Sequence, residues 1–122
     1  MEQLLALDER PDAVFAASDV MAIGAMAAIE KAGLSVPDDI AIVGYDDSPY
    51  ALLVSPQLTT IRQDAPAQGI AAADGLLRMI VDSAANPIEL VVPVEMIVRE
   101  SSGAGETVSP YRAGESALSA EA

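Results

Sequence analysis

Asp38-Asp39-Ile40-Ala41-Ile42-Val43-Gly44-Tyr45-Asp46-Asp47 is the stretch that decides how this chain is read. Ile40 to Val43 is short, unbroken and β-branched, the composition of a parallel strand covered on both faces. The chain then turns at Gly44 and presents Tyr45 beside two carboxylates. Ligands of open α/β sheets sit beyond the carboxyl ends of the strands, so an aromatic next to acids there is a site candidate. The competing reading is local: Asp is a favoured turn residue, and Asp46 and Asp47 then only cap the turn.

Upstream, Ala13-Val14-Phe15-Ala16-Ala17 reads as a second short buried strand, entered from Arg10-Pro11-Asp12 and left through Ser18-Asp19. The latter pair supplies N-cap chemistry for a helix. One strand ends in Ser-Asp and the next in Asp-Asp, so polar side chains gather at one edge of the sheet. Between them Val20 to Ala32 is a helix closed by Gly33 at the C′ position. Gly24, Ala25 and Ala28 permit close approach to a sheet, while Ile23, Met26 and Ala27 lie on another part of the circumference. Charge occurs only at Glu30 and Lys31. A helix apolar nearly all round is buried nearly all round, so its second face requires a cover from a larger domain or a second subunit. Before all this, Glu2 to Glu9 reads as the last turns of a helix.

Downstream, Ser48-Pro49-Tyr50 is a turn, and Ala51-Leu52-Leu53-Val54 is an apolar cluster in a loop, either core packing or a contact surface. Leu58-Thr59-Thr60-Ile61-Arg62 has strand character. Asp64 caps, and Pro66 opens, a helix from about Ala67 to Ser83. Ile70, Ala73, Leu77 and Ile80 form its apolar stripe, with Asp74, Arg78 and Asp82 on a solvated side. Leu90-Val91-Val92 and Glu95 to Arg99 are strand pieces parted by Pro93, which marks an edge or a crossover. From Ser101 onward Gly, Ser, Ala and Glu dominate, the composition of a disordered tail.

Composition narrows the function. The 122 residues carry a net charge of -13 with six Lys and Arg, which opposes a nucleic-acid surface. No Cys is present, so disulfides and thiolate chemistry are excluded, and no His, so a Ser-His-Asp arrangement is excluded too. The acidic N-terminus lacks the apolar core of a signal peptide, and no apolar run nears the roughly 18 residues of a membrane span. The expected setting is cytoplasmic.

Several ordered motifs together carry a resemblance. They are Arg10 to Asp19, Met21-Ala22-Ile23-Gly24-Ala25, Gly33-Leu34-Ser35-Val36-Pro37-Asp38-Asp39-Ile40, Val43-Gly44-Tyr45-Asp46-Asp47, Gln57-Leu58-Thr59-Thr60-Ile61-Arg62-Gln63 and Val98-Arg99-Glu100-Ser101. In this order and nearly this spacing the chain resembles the C-terminal part of the effector-binding core of LacI/GalR-type transcription regulators. The resemblance implies an α/β, parallel-sheet, three-layer fragment of a two-lobed, periplasmic-binding-protein-like fold. Residues 1–102 would be the partial effector-binding domain, with second-lobe units, a crossover and one first-lobe helix, and 103–122 a disordered tail. It further implies an effector, a sugar or sugar derivative, held between lobes, with Asp46, Ser18 and Gln63 as ligand-binding residues. Asp19, Asp47 and Tyr45 would stand behind them. Asp19 would hold the strand-helix turn together. Ile23, Met26, Leu52, Leu53 and Val54 would form a homodimer interface.

By the same resemblance neither catalysis, cofactor nor metal is expected, and DNA would be met only through a helix-turn-helix head that lies upstream in the family. The chain is thus expected to be a truncated form. Two other classes compete. A sugar-binding transport component shares the two-lobed core but requires an export signal. An enzyme using Asp19, Asp46 and Asp47 as a magnesium and phosphoryl site would want a cation beside the acids, and the only Lys, Lys31, lies near the far end of a helix.

Overall fold

The computed structural model describes residues 1–82 and 89–105, which fall into two compact units. The first comprises Met1–Arg62 and the described residues from Glu95 onward; the second comprises the described part of Gln63–Val94. In chain order the elements are α1 (Glu2–Leu5), β1 (Ala13–Phe15), α2 (Asp19–Lys31), β2 (Ala41–Tyr45), β3 (Thr59–Gln63), α3 (Ala65–Val81) and β4 (Val94–Ile97). Short 3-10 turns run Pro49–Leu52 and Glu100–Ser102. The sheet order is β1-β2-β3-β4, with β1 parallel to β2 (Val14 opposite Ile42) and β2 parallel to β3 (Gly44 opposite Thr60).

Parallel pairing places the ends of β1 and β2 at the same sheet edge, as the two polar-ended strands suggested. Ile40, Ile42, Leu58 and Ile29 are fully buried, joined by Ala22, Met26, Ala51 and Ala16. This is an aliphatic core with α2 laid on one face of β2. The other face differs from expectation: Ala41, Val43 and Tyr45 are only half-buried, because no described helix of this unit covers them as α2 covers Ile42 and Gly44. β1 is likewise an open strand rather than a buried one, with Phe15 63% exposed.

The helix α2 is capped by the Ser18 hydroxyl, which accepts from the Met21 amide at 3.3 Å, and ends before Gly33 at φ 77°. Its buried face is Asp19, Ala22, Met26 and Ile29, whereas Val20 and Met21 are exposed. The second face is therefore uncovered among the described residues. Gly24 does not serve close approach, since a Cβ there would meet nothing within 4 Å. The close approach is at Gly44, where a Cβ would run into the Asp19 carboxylate and lie 2.9 Å from Leu58 Cδ2.

α1 is shorter than the Glu2 to Glu9 reading, ending at Leu5; Lys31 pairs with Glu2 at 3.8 Å near its start. In the second unit α3 is capped by Asp64, which accepts from the Ala67 amide at 2.9 Å, but buries no residue at all. Its stripe of Ile70, Leu77 and Ile80 is uncovered among the described residues. Leu90-Val91-Val92 form no strand; β4 begins at Val94, past the Pro93 break.

The expected disorder from Ser101 is corrected. Ser101 is fully buried, and its hydroxyl donates to the Ile42 carbonyl at 2.7 Å while accepting from the Thr59 amide at 2.8 Å. Glu100 accepts from the Gln57 amide at 2.7 Å, and the Ser101 amide donates to the Gln57 carbonyl at 3.0 Å. Small polar residues here are core connectors between β2 and β3. Of the tail, 106–122 lies outside the described residues.

Candidate functional site

At the edge beyond β1 and β2 lie Ser18, Asp19, Tyr45, Asp46 and Asp47. At the end of β2 the backbone passes through two consecutive non-glycine residues with positive φ, Asp46 at 117° and Asp47 at 51°. Asp tolerates the left-handed region better than most residues, because its short side chain can bond locally. The turn is tied to β3 by the Asp46 amide on the Ile61 carbonyl at 2.8 Å and the Asp47 amide on the Thr60 hydroxyl at 3.3 Å. Asp46 itself is exposed.

Asp47 faces the protein instead. Its Oδ1 accepts from Arg99 Nη2 at 2.7 Å, and its Oδ2 from Arg62 Nε at 2.7 Å and Nη2 at 2.6 Å. Burial pushes its pKa up, but the Arg99 and Arg62 hydrogen bonds and charges outweigh that and hold the carboxyl below the usual range. Arg99 is itself fixed, with Nη1 donating to the Leu58 carbonyl at 2.7 Å and its side chain 11% exposed. Arg62 is half exposed and shared with Glu95 at 3.4 Å.

Asp19 is fully buried yet doubly bonded: Oδ1 accepts from the Thr60 hydroxyl at 2.5 Å and Oδ2 from the Ser48 amide at 2.6 Å. It was expected to hold the turn from β1 into α2. The Ser18 hydroxyl caps α2, and Asp19 ties the start of α2 to the loop after β2 and to β3. Ser18 is half-buried, its oxygen engaged as the helix cap, which leaves the hydroxyl proton to donate elsewhere. Tyr45 is half-buried at the end of β2, opposite Ile61. Gln63 closes β3 in the second unit, where its Oε1 accepts from Gln68 Nε2 at 3.3 Å.

Two of the three acids proposed for magnesium are thus occupied, Asp19 by a hydroxyl and an amide and Asp47 by two guanidiniums. Among the described residues no group of three His, Cys, Asp or Glu is placed to hold a metal ion. The cations that the phosphoryl reading lacked are Arg62 and Arg99, and they neutralise Asp47 rather than flank a ligand. Their role escaped sequence reading because they lie 15 and 52 residues from Asp47. Thr60 was equally silent, one hydroxyl within a strand.

Of the residues expected at a dimer interface, Ile23 and Val54 line a groove of about 430 Å³ with Leu34, Val36 and Pro56. Met26, 8% exposed, packs into the core and also lines the groove. Leu52 and Leu53 are 53% and 78% exposed. No described helix is long and apolar enough to cross a membrane.

A family model described as a periplasmic binding protein-like domain matches residues 1–102. The transcriptional regulator MalR of Streptomyces coelicolor is 45% identical over 100 residues, covering 80% of this chain and 29% of its own length. The transcriptional repressor PurR of Escherichia fergusonii is 41% identical over 112 residues, covering 92% of this chain and 32% of that protein. A LacI family transcriptional regulator from Lactobacillus casei, solved with bound sucrose, is 36% identical with a TM-score of 0.63, covering 82% of this chain and 37% of that one. The chain spans about a third of the length of these relatives, which are named as transcriptional regulators or repressors.

Proposed function

The chain belongs to the periplasmic binding protein-like domain family, in the form carried by LacI-type regulators, and from that premise we propose that it is an effector-binding and dimerisation part of a transcription regulator. Its effector is a sugar or sugar derivative. The observation that carries the reading is the exposed residue Asp46 at the carboxyl edge of a parallel sheet, set on a positive-φ turn. That edge is where open α/β sheets take ligands. A carboxylate there accepts from sugar hydroxyls, and Ser18, at the neighbouring strand end, offers a hydroxyl proton. Gln63 contributes from the end of β3. The sucrose bound by the Lactobacillus casei regulator supports the chemical class. Residues 1–102 act as the effector-binding part, with 103–122 dispensable to it. Operator contact is assigned to another part of a regulator, since a net charge of -13 repels phosphates.

The test is titration of sucrose and glucose into the chain, followed at the Asp46, Ser18 and Gln63 amides by NMR. Asp46→Asn removes a charged acceptor, worth about 2 kcal/mol or roughly thirtyfold in affinity, with stability unchanged. A large stability loss with affinity unaltered would return Asp46 to the role of a turn cap.

A further inference from the structure

We infer that Arg99, acting through Asp47, is a positioning residue for Asp46; the inference rests on the effector-binding reading above. A backbone φ of 117° at Asp46 lies outside the region L-residues readily adopt, and Asp47 follows at 51°. Such a conformation persists only where its surroundings over-determine it. The Asp46 amide on the Ile61 carbonyl and the Asp47 amide on the Thr60 hydroxyl tie the turn to β3. The Asp47 carboxylate adds a side-chain tie, gripped on both oxygens.

The two grips are unequal. Arg99 is nearly buried, and its fork spans Asp47 Oδ1 and the Leu58 carbonyl, both at 2.7 Å. Its own amide donates to Thr59 Oγ1 at 2.8 Å, so the guanidinium departs from a backbone already locked to β3. Arg62 is 52% exposed and divides itself between Asp47 and Glu95. Two exposed arms of one side chain hold less firmly than a buried fork with fixed ends. Arg99 is therefore the anchor and Arg62 the auxiliary. With Arg99 shortened, the turn relaxes toward negative φ, and the Asp46 carboxylate leaves the edge where a ligand would meet it.

The experiment compares the whole chain with Arg99→Gln, Arg99→Lys and Arg62→Gln by NMR. A positive φ brings a residue's amide proton close to its own α proton, giving a strong intraresidue cross-peak. The parent shows it at Asp46 and Asp47; Arg62→Gln keeps it, Arg99→Gln loses it, and Arg99→Lys, with the charge but not the fork, falls between. Retention of both cross-peaks in folded Arg99→Gln overturns the inference, because a merely structural arginine lowers stability without turning the backbone. If Arg99→Gln does not fold, Arg99→Lys decides by the same signal. Sucrose supplies the second readout: Arg99→Gln weakens binding at least tenfold, and adding Asp46→Asn to it weakens binding no further. Failure of the parent to take sucrose or glucose counts against the sugar reading alone, and the cross-peaks still decide for Arg99.

Discussion

The Asp19 carboxylate and the Thr60 hydroxyl meet at 2.5 Å across 41 residues of sequence, both side chains wholly buried. The same carboxylate takes the Ser48 amide at 2.6 Å, so one acid joins α2, the loop after β2, and β3. Removing it strands a buried hydroxyl and a backbone amide. Asp19→Ala is expected to lower stability by about 2–4 kcal/mol, from two hydrogen bonds to a charged group and the groups left unpaired. Urea unfolding measures this, and an unchanged midpoint would refute the tie.

Gly44 and Gly24 make opposite predictions from one substitution. Alanine at 44 drives a methyl into the Asp19 carboxylate and Leu58, for a loss of about 1–3 kcal/mol. Alanine at 24 meets open space in a helix and gains about 0.5–1 kcal/mol. Thermal unfolding of the pair should move in opposite directions from the parent.

Acid should unfold the protein through its depressed carboxyls. Asp47 is held low by Arg99 and Arg62 against its burial, and Asp39 is held low by the Ser35 amide and hydroxyl, each at 2.8 Å. A carboxyl lowered in the folded state contributes stability that is complete above the unfolded value of about 3.9 and is lost as pH falls through the folded one. The melting temperature should therefore fall from about pH 5 toward pH 3. Asp47→Asn should flatten part of that slope, and an identical slope in the variant would contradict the assignment.

The exposed Leu52 and Leu53, with Ile23 and Val54 in the adjoining groove, offer an apolar patch suited to a two-fold contact. Ile23→Glu places a charge at a dry contact and should shift sedimentation toward monomer. A parent chain that stays monomeric at high concentration removes this role from the patch.

Periodicity and strand-end chemistry made the architecture legible. Gly33 past α2, Asp64 before α3, and the short apolar runs of β2 and β3 each carry a local signal that tertiary structure kept. The polar edge was legible for the same reason, since parallel strands must end on one side. What the sequence concealed is pairing at long range. Arg99, Thr60 and Ser101 have ordinary local surroundings, and only folding shows that they finish bonds begun at Asp47, Asp19 and Ile42. Burial was misjudged where a pattern presumed a partner layer: β1 and the apolar stripe of α3 have core composition yet are uncovered within these residues.

Residues 99–102 close bonds that the centre of the sheet leaves open. The Ile42 carbonyl waits 59 residues for Ser101, and the Thr59 amide waits 42. On the ribosome, β1, β2 and β3 are all synthesised before any partner for these groups exists. A chain interrupted within α3 would carry the apolar side chains of its core but unpaired polar groups between its strands. Completion of this unit is therefore tied to release of nearly the whole of it from the exit tunnel. The segment that looks least like structure in composition sets the moment at which the rest can become native.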